Sequence, residues 1–153
     1  MKTPTKTTIS AITLVVCDYD KAIDFYVDCL GFTLCEDTKL SPEKRWVRVA
    51  PSGGGTNLLL ARAATPQQEN AIGNQAGGRV FLFLETENFD QSYREMRDKG
   101  VQFLEEPRHE PYGSVAVFAI HLAINGILSN LRNAKWSVTI FGLTAIEARK
   151  APT

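Results

Sequence analysis

The side chains that could act as nucleophiles stand in no arrangement that marks a catalytic site. The three cysteines, Cys17, Cys29 and Cys35, form no Cys-x-x-Cys pair, and none has a basic neighbour that would clearly stabilise a thiolate. Their odd number and spacing predict inert, reduced thiols, and therefore a cytoplasmic protein. No Gly-x-Ser-x-Gly motif occurs, and the glycine run at 53–55 lacks the lysine of a phosphate-binding loop.

The two histidines are the next candidates, as ligands for a metal ion. His109 and Glu110 are adjacent in the segment PRHEPYG, and Glu85 could approach them. Adjacent residues of an extended segment point to opposite sides, so such a pair seldom binds one ion. We therefore predict that His109 is a surface loop residue and that His121 is a solvent-facing helical residue.

The composition is that of an ordinary globular domain. The chain has 153 residues, with 17 basic and 17 acidic side chains, 44% apolar residues and 22% charged residues. The balanced charge argues against nucleic acid as the main partner, because binding to phosphates needs a basic excess. No apolar run is long enough to span a membrane, and the N-terminal segment is no secretory signal. We expect neither nucleic acid nor membrane as a partner.

Hydrophobic periodicity divides the first half of the chain into elements. Residues 1–8 are polar and are predicted to be flexible. A strand over 9–17 precedes a helix that begins at Asp18 or Asp20 and ends near Leu30, where Gly31 supplies the C-cap. Three more strands are predicted over 32–37, 45–50 and 56–62, and residues 63–78 are predicted to be a linker.

The same order of elements then repeats. A strand over 79–86 precedes a helix capped by Asn88 and ended by Gly100. A shift of 70 residues places Tyr19 on Phe89 and Tyr26 on Met96. The sequence therefore predicts an α+β fold of two βαβββ modules, over 9–62 and 79–119, the second of them incomplete.

Several motifs occur in an order that a known family shares. They are Asp18-x-Asp20-x-x-x-x-Phe25-Tyr26-x-x-x-Leu30-Gly31-Phe32 in the first module, and Gly100-Val101-x-Phe103, Glu106-Pro107 and Pro111-Tyr112-Gly113 in the second. Over residues 9–119 the sequence resembles the vicinal oxygen chelate superfamily, which includes glyoxalase I, bleomycin-resistance proteins and extradiol dioxygenases. The resemblance implies that each module forms a cupped mixed sheet and that the two cups enclose one cavity.

The resemblance also supplies a test for a metal site. Metal-dependent members hold a divalent ion with His, Gln or Glu side chains from the first and last strands of each module. The two first-strand positions fall on Ala11 and Phe81, and the end of the first module offers only Asn57 beside leucines 58–60. An alkyl or phenyl side chain cannot replace an imidazole or carboxylate ligand. We therefore predict that the usual metal is absent and that no cofactor is bound.

Strand alternation within the implied fold selects all but one of the candidate ligand-binding residues, and Tyr112 of the second-module motif is added to them. They are Trp46, Arg48, Phe81, Phe83, Glu85 and Tyr112. On a strand, Phe81 and Phe83 are more often plain core residues than a platform for a ligand. The leading hypothesis is a metal-free protein that binds a small organic ligand in an aromatic cavity. The alternatives are a metal-dependent lyase, isomerase or dioxygenase with a non-standard ligand set, and a decayed gene product without present activity.

The sequence departs from the superfamily pattern after Phe118. Related sequences continue with Asp-Pro-x-Gly-Asn. With one permitted set of codons, inserting a single G after the codon of Ala119 makes the next codons encode Asp-Pro-Phe-Gly-Asn-Gln-Trp-Asp-Leu. Residues 120–153 are therefore predicted to be a divergent, frameshifted tail. Its apolar residues recur at helical spacing, which predicts a helix over 120–134 in place of the usual last strand and a homodimer formed through the apolar stripe. The strand propensity of residues 136–145 favours a strand after this helix.

Overall fold

A computed structural model describes residues 2–120 and 124–131 of the chain. Its elements form two four-stranded sheets, each accompanied by a helix. The chain divides into two compact units between Glu69 and Asn70. This division lies within the segment 63–78, which is not wholly irregular because it contains the short helix α2 (Pro66–Ala71).

The first unit begins with the strand-helix pair that the sequence predicts. Its elements are β1 (Ala11–Val16), α1 (Tyr19–Ile23), a π-helical continuation (Asp24–Cys29), β2 (Thr33–Lys39), β3 (Arg45–Ala50) and β4 (Asn57–Arg62). Asp18 caps α1, because its carboxylate accepts a hydrogen bond of 2.9 Å from the amide of Lys21. Gly31 follows the helix with a φ of +74°, a conformation that glycine adopts without steric cost.

The helix of the first unit packs on one face of its sheet. The strand order is β1-β4-β3-β2, with β1 and β4 parallel and the other pairs antiparallel. Leu14, Val47, Val49 and Leu60 are buried on the face that α1 contacts, together with Tyr26 from the helix. Because side chains alternate along a strand, the residues next to these buried ones in the sequence face the opposite side of the sheet.

A β-bulge interrupts the edge strand β2. Leu34 lies opposite Val49, but Glu36, rather than Cys35, lies opposite Arg48. The extra residue reverses the facing of everything that follows it in β2. Glu36 therefore shares a face with Arg48, although an uninterrupted strand would have placed it on the same side as Leu34.

The second unit repeats this architecture. Its elements are β5 (Leu82–Glu85), α3 (Phe89–Asp98), β6 (Arg108–Glu110), β7 (Gly113–Ile120) and β8 (Ile124–Leu131). The order β5-β8-β7-β6 matches that of the first sheet, and β5 and β8 are parallel, like β1 and β4. Phe89 and Met96 are buried, as are Tyr19 and Tyr26 of the first unit. The predicted repeat and the α+β fold of two βαβββ modules are confirmed.

The prediction of a C-terminal helix over 120–134 is wrong where the structure describes that segment. Ile120 ends β7, and residues 124–131 form β8, which pairs with β5 on one side and β7 on the other. The same apolar residues satisfy both periods over a short stretch. The strand prevails because it supplies hydrogen bonds to two neighbouring strands, whereas a helix would leave their edges unpaired.

A glycine fits β8 into the second sheet. Gly126 lies opposite Phe118 of β7, and a Cβ atom built on Gly126 would lie 2.5 Å from the Phe118 ring. The ring thus fills the space that a side chain would need. His121 and the strand predicted over 136–145 lie outside the described residues. In the part of the chain that the structure describes, no helix is long and apolar enough to cross a membrane.

Candidate functional site

Trp46 and Arg48 of β3 lie on the face of the first sheet that is opposite α1. Their neighbours Val47 and Val49 are completely buried on the helix side, as the sequence predicts. Trp46 keeps 40% of its surface exposed, and the Arg48 side chain keeps 33%. Leu59, which pairs with Arg48 across the sheet, is partly buried beside them. An exposed indole next to a guanidinium is suited to binding a planar organic molecule.

The hydrogen bonds on this face involve two residues of β2 that the sequence analysis did not select. Arg48 donates from Nε to Glu36 Oε2 at 3.2 Å, and Thr38 Oγ1 lies 3.3 Å from Glu36 Oε1. Thr38 lies opposite Trp46, and Glu36 lies opposite Arg48. These four residues, Glu36, Thr38, Trp46 and Arg48, are termed the β2–β3 face below.

A second charged cluster lies on the other side of the sheet, around Arg45. Its guanidinium donates two hydrogen bonds to Asp37, of 2.9 and 2.5 Å, and one of 2.7 Å to Asp20 of α1. The backbone amide of Arg45 donates to Tyr19 Oη at 3.2 Å, and the guanidinium lies 5.3 Å from the centre of the Tyr19 ring. Arg45 therefore links the β2–β3 hairpin to the start of the helix.

The pKa values of two carboxyl groups, Asp37 in this cluster and Asp18 at the start of the helix, lie below their ordinary values. The Arg45 guanidinium beside Asp37 holds the pKa of that carboxyl below its ordinary value, and Asp37 and Asp20 in turn raise the pKa of Arg45. The amide of Lys21 lowers the pKa of Asp18. A recess of about 370 Å³ adjoins the cluster, and its lining includes Lys39, Glu43 and Arg62. Of its charged lining residues, Asp20 and Arg45 form an ion pair with one another.

The candidate residues of the second unit do not all lie on its sheet. Phe83 and Glu85 alternate along β5 on one face, and Phe83 keeps 44% of its surface exposed. Phe81 precedes β5 and is partly buried. Tyr112 lies in the turn before β7 and packs against Val115 and Val117. Its ring therefore has apolar contacts within its own unit.

The residues at the expected metal positions do not fit a metal. Ala11 pairs with Asn57 at the start of the first sheet, and neither the Ala11 methyl nor the Phe81 ring offers a donor atom. Within residues 2–120 and 124–131, no group of three or more His, Cys, Asp or Glu side chains could hold an ion together.

His109 is not the loop residue that the sequence analysis predicts. It lies in the short strand β6, where its Nδ1 atom is 2.8 Å from Ser114 Oγ on β7. Its ring contacts Phe89 edge-on. His109 and Ser114 lie directly opposite one another in the antiparallel pair of β6 and β7, so their side chains meet on one face.

Comparison with known proteins agrees with the repeated architecture. The sequence profile of the Glyoxalase/Bleomycin resistance protein/Dioxygenase superfamily matches residues 8–126. The chain belongs to this superfamily. An uncharacterised protein of Shewanella frigidimarina (strain NCIMB 400) is 55% identical to it over 115 residues, which are 74% of this chain and 85% of that protein. The resemblance stated from the sequence motifs is thereby confirmed.

Two solved structures of this superfamily's fold are similar to the chain. UcmS2 matches with a TM-score of 0.71 and 27% identity, over 82% of this chain and 99% of its own. TnmS3, an antibiotic binding protein from Streptomyces sp. CB03234, matches with a TM-score of 0.67 and 27% identity, over 85% of this chain and 100% of its own.

The superfamily motifs would not have revealed Glu36 and Thr38. Both residues belong to a strand whose alternation is interrupted at Cys35, so a regular strand pattern places them on the helix side. The available signal was the acidic and hydroxyl character of β2 opposite an arginine and a tryptophan. Such cross-strand pairs are recognisable only once the register is known.

Proposed function

We propose that the protein binds a small organic ligand through aromatic side chains, without the divalent metal that other superfamily members use. Trp46 and Arg48 are its proposed contacts on the first sheet. In the second unit the proposed contacts are Phe81, Phe83, Glu85 and Tyr112.

The observation that carries this proposal is the exposed indole of Trp46 beside Arg48. Large aromatic side chains supply much contact area at a small cost in side-chain entropy, so leaving one exposed on a sheet face favours a binding role. The similarity to TnmS3, an antibiotic binding protein, supports the same class of function. The side chains of Ala11 and Phe81 support binding without metal.

Calorimetric titration with a panel of planar aromatic compounds tests the proposal. We expect at least one compound to bind the wild-type protein, and Trp46→Ala to weaken that binding at least tenfold, a loss typical of a central aromatic contact. Leu40→Ala, which truncates another exposed apolar residue of the same unit, is the control and should leave the affinity unchanged. Failure of every compound to bind would contradict the proposal.

Metal analysis of the purified protein separates this function from its enzymatic alternative. We expect less than stoichiometric Ni, Zn, Fe and Mn. A stoichiometric metal that survives dialysis would favour a metal-dependent lyase, isomerase or dioxygenase instead.

We also propose that the chain forms a homodimer in the cytoplasm. The apolar helical stripe that first suggested a dimer is a strand in the described region, so the support comes from β1 instead. This strand lies at a sheet edge, and Ile9 and Ile12 near it are 69% and 40% exposed. Sedimentation should give a dimer that Ile12→Lys dissociates. None of the three cysteines forms a disulfide, which supports the cytoplasmic location, and cell fractionation checks it.

A further inference from the structure

We propose that the β2–β3 face recognises an aromatic anion, with Trp46 stacking on its ring and the terminal nitrogens of Arg48 binding its carboxylate. This inference rests on the proposed binding function and specifies the chemical class of the ligand. It concerns residues of the first unit alone.

The two Nη atoms of Arg48 are the charged hydrogen-bonding groups on this face that have no partner among the described residues. Both oxygens of Glu36 are engaged, one by Arg48 Nε and the other by Thr38 Oγ1. Among the residues that the structure describes, the bond to Glu36 is the only hydrogen bond of the Arg48 side chain, so its two Nη atoms keep their hydrogens available. A ligand that meets this face therefore finds cationic donors without a partner, whereas each oxygen of Glu36 already accepts a hydrogen bond, which favours an anion over a cation.

Glu36 acts here as a positioning residue. It binds the Nε edge of the guanidinium, which leaves the edge formed by the two Nη atoms for a second partner. That partner is best a planar group with two oxygens, because two parallel N–H donors match a carboxylate. The Arg48 side chain is 33% exposed, so a ligand can reach it from solvent.

The spacing along β3 sets the size of the ligand. Trp46 and Arg48 are separated by one residue on an extended strand, which places their Cα atoms about 7 Å apart. An aromatic ring with a directly attached carboxylate spans a comparable distance when the hydrogen bond to the guanidinium is included. Leu59, across the sheet from Arg48, adds an apolar surface for the ring.

The test compares 2-naphthoate with its neutral isostere 2-naphthamide by calorimetric titration. We expect the wild-type protein to bind the acid about tenfold more tightly than the amide, because a hydrogen bond to a charged group is stronger than a neutral one. Arg48→Gln should remove this preference by weakening the acid about tenfold while changing the amide less than twofold. Arg62→Gln removes an arginine from the same unit but not from this face, and should preserve the preference.

A second variant distinguishes positioning from a purely structural role for Glu36. Glu36→Gln keeps an acceptor for Arg48 Nε but removes a negative charge near the bound anion, so acid binding should strengthen about threefold while amide binding stays constant. Weaker acid binding by this variant would contradict the assigned role.

The outcomes separate the inference from the function on which it rests. Equal affinity for acid and amide, or an equal effect of Arg48→Gln and Arg62→Gln on the acid, overturns the inference while leaving ligand binding intact. Absence of binding by both compounds overturns the inference and counts against the proposed function as well. Circular dichroism establishes that each variant is folded.

Discussion

Asp18 and Asn88 lie 70 positions apart, and each caps the helix of its own unit in the same way. Asp18 accepts a hydrogen bond from the amide of Lys21 at 2.9 Å, and Asn88 accepts one from the amide of Gln91 at 3.1 Å. In both, an extended residue satisfies an amide of the first helical turn that has no partner within the helix. The duplication thus extends from the order of strands to single hydrogen bonds.

Replacing Asn88 by alanine should lower the free energy of unfolding by about 1 kcal/mol, because α3 loses its N-cap. Urea denaturation measures the difference. Asn88→Ser retains a side-chain acceptor and should recover most of the loss. Equal destabilisation by serine and alanine would show that the cap is not what stabilises this position.

Stability should fall in acid partly through Asp37. Its carboxyl pKa is lowered in the folded protein by Arg45, so its contribution is present above the unfolded value of about 3.9 and is lost as the pH falls through the lower folded value. Asp37→Asn should destabilise the protein by up to about 1 kcal/mol at pH 7 and by progressively less below pH 4. Denaturation curves over this range check it, and a pH-independent difference would contradict it.

Removing the hydroxyl group of Tyr26 should not destabilise the protein. Burial raises the pKa of Tyr26, and its hydroxyl oxygen has no hydrogen-bond partner among the described residues. Tyr26→Phe therefore loses no bond and avoids the cost of burying a polar group, so we expect stability to be unchanged or to rise by about 1 kcal/mol. Tyr26→Leu, which also removes ring contacts with Phe25 and Phe32, should destabilise.

The register of β8 can be tested at Gly126. Gly126→Ala places a methyl group against the Phe118 ring and should cost about 1–3 kcal/mol of stability. Gly53→Ala, where no atom lies within 4 Å of the added methyl, is the matched control. Phe118→Leu should offset part of the cost of Gly126→Ala. Destabilisation that is simply additive would argue against the contact and hence against this register.

We retain the proposal that the chain from residue 120 onward is read in a shifted frame. The superfamily profile ends at residue 126, and sequencing the gene over codons 119–128 decides the matter. We expect that one added nucleotide after codon 119 produces the Asp-Pro-Phe-Gly-Asn motif. Codons that cannot give this motif in the neighbouring frame would disprove the proposal.

Local chemistry made much of the first unit predictable. The cap at Asp18 and the turn at Gly31 depend on residues a few positions apart, and the alternation of Val47 and Val49 with Trp46 and Arg48 is a property of one strand. The helix wrongly predicted over 120–134 shows where prediction from local sequence patterns fails. Its apolar spacing suits both structures, and only the vacant position between β5 and β7 decides for a strand.

The candidate-site residues that the sequence could predict are those whose facing depends on the alternation of a single strand. Trp46 and Arg48 lie on the predicted face. Glu36 was missed because its facing depends on the bulge, and the packing of Tyr112 against Val115 depends on how a turn folds back on β7. Neither can be inferred from the period of one element, because each is set by contacts between elements.

The bulge at Cys35 also bears on how the protein behaves at high concentration. β2 is an outer strand, so one side of its backbone offers hydrogen bonds to any extended chain that approaches. A regular partner strand cannot match a ladder that is broken in its middle, and the charged Lys39 at its end adds to the obstacle. The irregularity that aligns Glu36 with Arg48 therefore also protects this edge against intermolecular β-aggregation.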